Sequence, residues 1–96
     1  MRRCYLVCYD ISSPKRWRRV YKVMQGYGEH WQYSVFFCIL RDIDRVRMEA
    51  ALDEYIKHDE DQTLILDLGP DEKAARESAT VLGLPLKDTE ERTVIV

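Results

Sequence analysis

Residues 4 to 9, Cys-Tyr-Leu-Val-Cys-Tyr, run without a charged residue and stop at Asp10. Both alternating sets are apolar or aromatic: Tyr5, Val7 and Tyr9 on one side, Cys4, Leu6 and Cys8 on the other. That is the pattern of a central strand covered on both faces. A helix start follows at once. Ser12 or Ser13 can cap, Pro14 suits the first helical position, and Trp17, Val20, Tyr21, Met24 and Tyr27 then recur at helical spacing to about residue 26. The chain therefore begins with a buried strand leading directly into an amphipathic helix.

The rest of the chain builds a sheet around that strand. Gly26 and Gly28 end the helix, and His30 to Leu40 reads as extended, with a break near Tyr33 and Ser34. A second helix runs from Asp42 to about Lys57, with Met48, Ala51, Leu52, Tyr55 and Ile56 on one face. His58 to Asp61 is an acidic loop, Gln62 to Leu68 a strand, and Gly69-Pro70 a turn. Propensity favours helix over Asp71 to Ala79, whereas Thr80 to Leu84 and Thr93 to Val96 look like short strands. The expected fold is α+β: a ferredoxin-like βαββαβ sandwich, both helices on one face of an antiparallel sheet, with an extra C-terminal strand.

A length of 96 residues fits one domain, small enough that a homodimer would help to bury apolar surface. The composition, 46% hydrophobic and 33% charged, is that of a folded chain. No apolar run approaches the roughly 20 residues of a membrane span and no signal peptide is evident, so the expected location is cytoplasmic, without a membrane partner. Cys4, Cys8 and Cys38 have no Cys-x-x-Cys spacing and read as small buried hydrophobes. His30 and His58 form no ligand cluster.

Charge is divided unevenly. Residues 1–30 hold seven Lys and Arg against two acids, a net +5, whereas residues 31–96 hold eight against fifteen, a net −7. The basic half should attract polyanions. Lys15, Arg19 and Lys22 lie opposite the apolar stripe of the first helix, with Arg16 and Arg18 on its flanks. None of the five has an acid four residues on, where an ordinary solvated helix face mixes signs. Asp10 thus sits at a strand tip, beside a helix start and five cations. That is a place for a phosphate, with or without a metal. An Asx turn or a helix cap is the structural alternative for Asp10, and core packing is the first reading of Trp17, Tyr21, Tyr27 and Trp31.

The run Val-x-Tyr-Asp-Ile at 7–11, Lys-Arg at 15–16 and Tyr-Gly-x-x-x-Gln-x-Ser-Val-Phe at 27–36 resembles the small CRISPR adaptation protein family called Cas two, CRISPR-associated endonucleases. The resemblance implies a ferredoxin-like homodimer whose C-terminal strand crosses to the partner's sheet. It also implies a metal-binding Asp, carried onto Asp10, and a role in spacer acquisition alongside an integrase subunit. Tyr9, Arg16, Gln32, Ser34 and Phe36 match the family pattern. Trp17, His30 and Phe37 depart from it, where the family commonly has a basic residue, an Arg and an acid.

Two functions are expected on these grounds. One is a Mg²⁺-dependent endonuclease cleaving RNA or DNA, with Asp10 paired across a dimer, since Mg²⁺ takes oxygen ligands and typically one or two carboxylates. The other is a non-catalytic architectural dimer that binds duplex DNA and bridges integrase partners. Other activities of the same fold fit worse: the chain has no Asn for an acylphosphatase site and no Lys/Arg-Gly-Phe-Gly-Phe-Val-type strand for an RNA-recognition motif.

Overall fold

The computed structural model describes residues 1–86. Its elements are β1 (Arg2–Asp10), α1 (Pro14–Gln25), β2 (Gly28–Gln32), β3 (Val35–Arg41), α2 (Asp42–Tyr55), β4 (Gln62–Gly69) and a short α3 (Glu72–Glu77). The strands form one antiparallel sheet in the order β2-β3-β1-β4, which is the ferredoxin-like arrangement expected from the element order. β1 is central, pairing Val7 with Phe36 on one side and with Ile65 on the other.

Alternation along the strands divides the side chains between two faces. Tyr5, Val7, Tyr9, Phe36, Cys38 and Leu40 turn toward the helices, where Val20 and Met24 of α1 and Met48 and Leu52 of α2 complete the main core. Burial pushes the Cys38 thiol up to about 12, so it behaves as the small hydrophobe its pattern suggested. The opposite face carries a second cluster of Cys4, Trp31, Phe37 and Ala75, flanked by Leu6, Val35, Ile39, Leu68 and Leu86. Here α3 covers only part of the sheet, and Leu64 and Leu66 remain 53% and 42% exposed.

Glycine is required at two points. At Gly28 a Cβ would lie 2.5 Å from the Phe37 carbonyl oxygen, so β2 can approach β3 this closely only without a side chain. Gly69 adopts φ +91° where the chain leaves β4, a left-handed conformation that glycine takes at little cost.

The Tyr33-Ser34 break lies between β2 and β3, and the expected helix after Asp71 is α3, with the Asp71 side chain accepting from the Lys73 and Ala74 amides. Thr80 to Leu84 is not a strand: the segment is irregular, turns at Gly83 with φ +95°, and delivers Leu86 to the second cluster. Strand propensity alone cannot hold it, because no neighbouring strand edge pairs with it. Thr93 to Val96, the expected extra strand, lies outside the described residues. Among the described residues no helix is long and apolar enough to cross a membrane.

Candidate nucleic-acid and metal site

Asp10 is the last residue of β1, hydrogen-bonded in register with Gln62 of β4, and its side chain is exposed. It caps nothing. The cap of α1 is Ser13, whose hydroxyl accepts from the Arg16 amide at 3.3 Å, with Pro14 in the first turn. Among the described residues the Asp10 carboxylate makes no hydrogen bond or ion pair, so both oxygens are open to a ligand. It shares an open groove of about 470 Å³ with Tyr9, Ser12, Trp17, Arg18, Tyr33 and Ser34.

The groove is held by backbone and side-chain bonds from distant positions. Tyr9 donates its amide to the Ser34 carbonyl at 3.0 Å, fixing the β2–β3 turn beside the end of β1. Trp17 donates its indole N–H to the Ser34 hydroxyl at 2.9 Å. The Tyr9 hydroxyl is buried, meets no hydrogen-bond partner among the described residues, and burial holds its phenol above the ordinary range. Phe36 stacks beneath the Tyr9 ring at 6.3 Å.

The five cations of α1 separate into two groups. Lys15, Arg18, Arg19 and Lys22 are exposed. Arg16 is not free for phosphate: its Nε donates to Asp61 Oδ2 at 2.8 Å and its Nη2 to Asp61 Oδ1 and Glu60 Oε1, both at 3.1 Å. The Asp61 side chain has no solvent exposure and also accepts from the Ser12 amide at 3.0 Å and the Lys57 amide at 2.8 Å. The Arg16 guanidinium, with these two N–H donors, holds the Asp61 carboxyl well below the usual carboxylate range. Arg16 therefore ties the turn after Asp10 to the start of β4. The expectation of five unpaired cations fails at this one, because its partner lies 45 residues away instead of on the helix.

The remaining residues fall in three places. Gln32 is exposed beside Trp31 and Tyr33 in a neighbouring groove, outside the one that holds Asp10. His30 stacks on Phe36 at 4.9 Å, and Phe37 packs under Trp31 at 4.7 Å on the far face. Of the three departures from the family pattern, then, only Trp17 touches the Asp10 groove. Glu29, the other acid of the basic half, is buried and bound by both terminal nitrogens of Arg76, whose guanidinium also lies over Phe37. It is committed to the second face, and among the described residues no three His, Cys, Asp or Glu side chains gather as a metal-ligand cluster. A single uncommitted, exposed carboxylate nonetheless fits a hard cation that keeps most of its water.

The chain matches the family described as CRISPR associated protein Cas2 over residues 2–76. It is 51% identical over 72 residues to the CRISPR-associated endoribonuclease Cas2 of Geobacter sulfurreducens, a match covering 75% of this chain and 76% of that protein. To the CRISPR-associated endoribonuclease Cas2 1 of Rhodospirillum rubrum it is 50% identical over 68 residues, covering 71% and 67%. Among solved structures, Streptococcus pyogenes Cas2 aligns with a TM-score of 0.75 at 30% identity, over 83% of this chain and 99% of that one. A chain of a partial Cas6-RT-Cas1–Cas2 complex aligns at 0.66 and 25% identity, over 86% and 94%. With the motif around Asp10, the strand order and the match over residues 2–76 in agreement, the chain belongs to the CRISPR-associated protein Cas2 family.

Proposed function

We infer that the chain is a divalent-metal-dependent endoribonuclease acting in CRISPR adaptation, working as a homodimer with Asp10 at its site. The observation that carries this reading is the Asp10 carboxylate itself: exposed, capping nothing, and set in a groove with Arg18. Mg²⁺, when bound there, would offset the charge that develops on a phosphoryl oxygen and lower the pKa of a bound water. Asp10 supplies a hard oxygen ligand. Arg18, with the exposed Lys15, Arg19 and Lys22 on the same helix, attracts and orients the phosphate backbone through charge, which carries no base sequence information. The Arg16–Asp61 pair keeps the turn after Asp10 in position without touching substrate. RNA as the substrate is supported by the names of the relatives, and a homodimer by Leu64 and Leu66, apolar surface that a second copy would cover.

The test is cleavage of single-stranded RNA and duplex DNA across a series of divalent metals, with wild type and Asp10→Asn. Asp10→Asn should lower metal-dependent cleavage at least about a hundredfold while leaving the thermal unfolding curve in place. Cleavage that persists in Asp10→Asn, or that needs no metal, would refute the assignment.

The second reading, an architectural dimer that holds duplex DNA and bridges integrase subunits, is favoured by the likeness to a chain of a Cas1–Cas2 complex. It predicts binding of duplex DNA and of an integrase partner that Asp10→Asn does not alter.

A further inference from the structure

The Asp10 groove has an aromatic wall that phosphate chemistry does not use. Trp17 lies between Tyr33, 4.4 Å away at an interplanar angle of 15°, and Tyr21, 5.2 Å away at 10°. The Trp17 indole is pinned in this orientation by its hydrogen bond to Ser34. A core role would bury the end of such a stack. Instead Tyr33 is 70% exposed even with one ring face against Trp17, so the stack ends in solvent, at a residue that lines both the groove of Asp10 and Arg18 and the neighbouring groove of Gln32.

We propose that the Tyr33–Trp17 stack is a platform for an unpaired nucleobase, and that Tyr33 is the residue through which the groove holds a single strand more tightly than a duplex. This rests on the reading of the groove as a nucleic-acid site and adds a specificity-determining residue to it. A base inside a duplex has both faces covered by its neighbours, whereas an unpaired base can add its face to an external ring. Every base has such a face, so the platform is indifferent to sequence. Arg18 is placed in the same groove for the phosphate adjoining the stacked base. A platform and a cation side by side are the two parts that single-strand binding surfaces combine.

The test uses the full chain in chelator, without divalent metal, and a short RNA carrying one fluorescent 2-aminopurine, single-stranded or annealed to its complement. Wild type should quench the single-stranded probe on binding. Tyr33→Ala should lose that quench and bind single strands about tenfold more weakly, while its affinity for duplex changes by less than about twofold. Tyr33→Phe should behave as wild type, and thermal unfolding by circular dichroism should be alike for all three. The proposal is overturned if wild type gives no quench, if Tyr33→Ala weakens both forms equally, or if an abasic RNA binds as tightly as the intact one. Because no metal is present, a failure of the hydrolytic reading leaves these outcomes untouched. A quench by a protein that cleaves nothing under any metal would remove the nuclease and keep the platform.

Discussion

Phe36 and Phe37 are neighbours in β3, almost wholly buried, and they belong to opposite faces of the sheet. Phe36 lies under α1 and α2 in a continuous layer with Val7, Val20, Met24 and Met48. Phe37 lies under Trp31 and the Arg76 guanidinium, and the same face runs on to Leu64 and Leu66, which are exposed. The helix-covered face is sealed within one chain, so its burial stabilises the monomer. Among the described residues the other face is covered where α3 and Leu86 reach, and its remaining apolar surface is available to a second molecule. One sheet thus has a face closed within the chain and a face left partly open, and Asp10 stands at the end of its central strand.

The largest expected effect tests the sealed face. Phe36→Ala removes a ring with no exposure from beneath both helices and should cost about 3–5 kcal/mol in chemical denaturation. A cost no greater than that of a change at Leu66 would erase the distinction between the faces. Next comes the tie that joins α1 to the beginning of β4. Asp61→Asn takes the charge from a side chain that has no exposure and leaves Arg16 half-buried, so Tm at neutral pH should fall by about 10 °C.

That loss has a defined pH dependence. Asp61 titrates lower in the folded chain than in the unfolded one, so its stabilisation is fully present above the unfolded carboxylate value of about 3.9 and disappears as pH falls through the lowered folded value. Wild type and Asp61→Asn should therefore differ by a constant amount near neutrality and converge in acid; a gap that widens below pH 4 would contradict the ion pair as its source. The smallest effect on the monomer belongs to the open face. Leu66→Asp should change unfolding free energy at high dilution by less than about 1 kcal/mol, yet turn a dimer into a monomer in light scattering if that face is the interface. A dimer that survives the change would move the contact elsewhere.

What could be read in the sequence were the features with short-range causes. The β1 pattern and the helix start at Ser12 or Ser13 before Pro14 follow from residues within a few positions of one another, whereas the Tyr33-Ser34 break follows only from the length of the run 30–40, with no Gly or Pro to mark it. Arg16 was legible as a cation and illegible as a tether, since nothing local marks Asp61 as its partner. Tyr33 reads in the sequence as a residue of the break between two strands and nothing more. Only the fold, by laying that turn against α1, makes it the end of a stack. Glu29 is the second acid of the basic half, and nothing local marks its partner, Arg76, which enters from α3 on the far face. Thr80 to Leu84 shows the opposite failure: β-branched and aliphatic residues with strand propensity that pair with no strand.

The hydrogen bond from the Ser12 amide to Asp61 spans 49 positions, and Asp10 pairs with Gln62 just beyond it. During synthesis the chain emerges N-terminus first, at roughly 5–20 residues per second. The first strand therefore waits some seconds for its second neighbour, although the first helix and the β2–β3 hairpin can already have formed. A ribosome that stops before Gln62 releases a fragment whose first strand has one unpaired edge, and such edges join other chains. The turn that carries Asp10 acquires its tether only when Asp61 arrives, at the threshold of β4. A copy cut short before Asp61 therefore presents an open edge of β1 and leaves Arg16 without that carboxylate partner, two consequences of the strand order β2-β3-β1-β4.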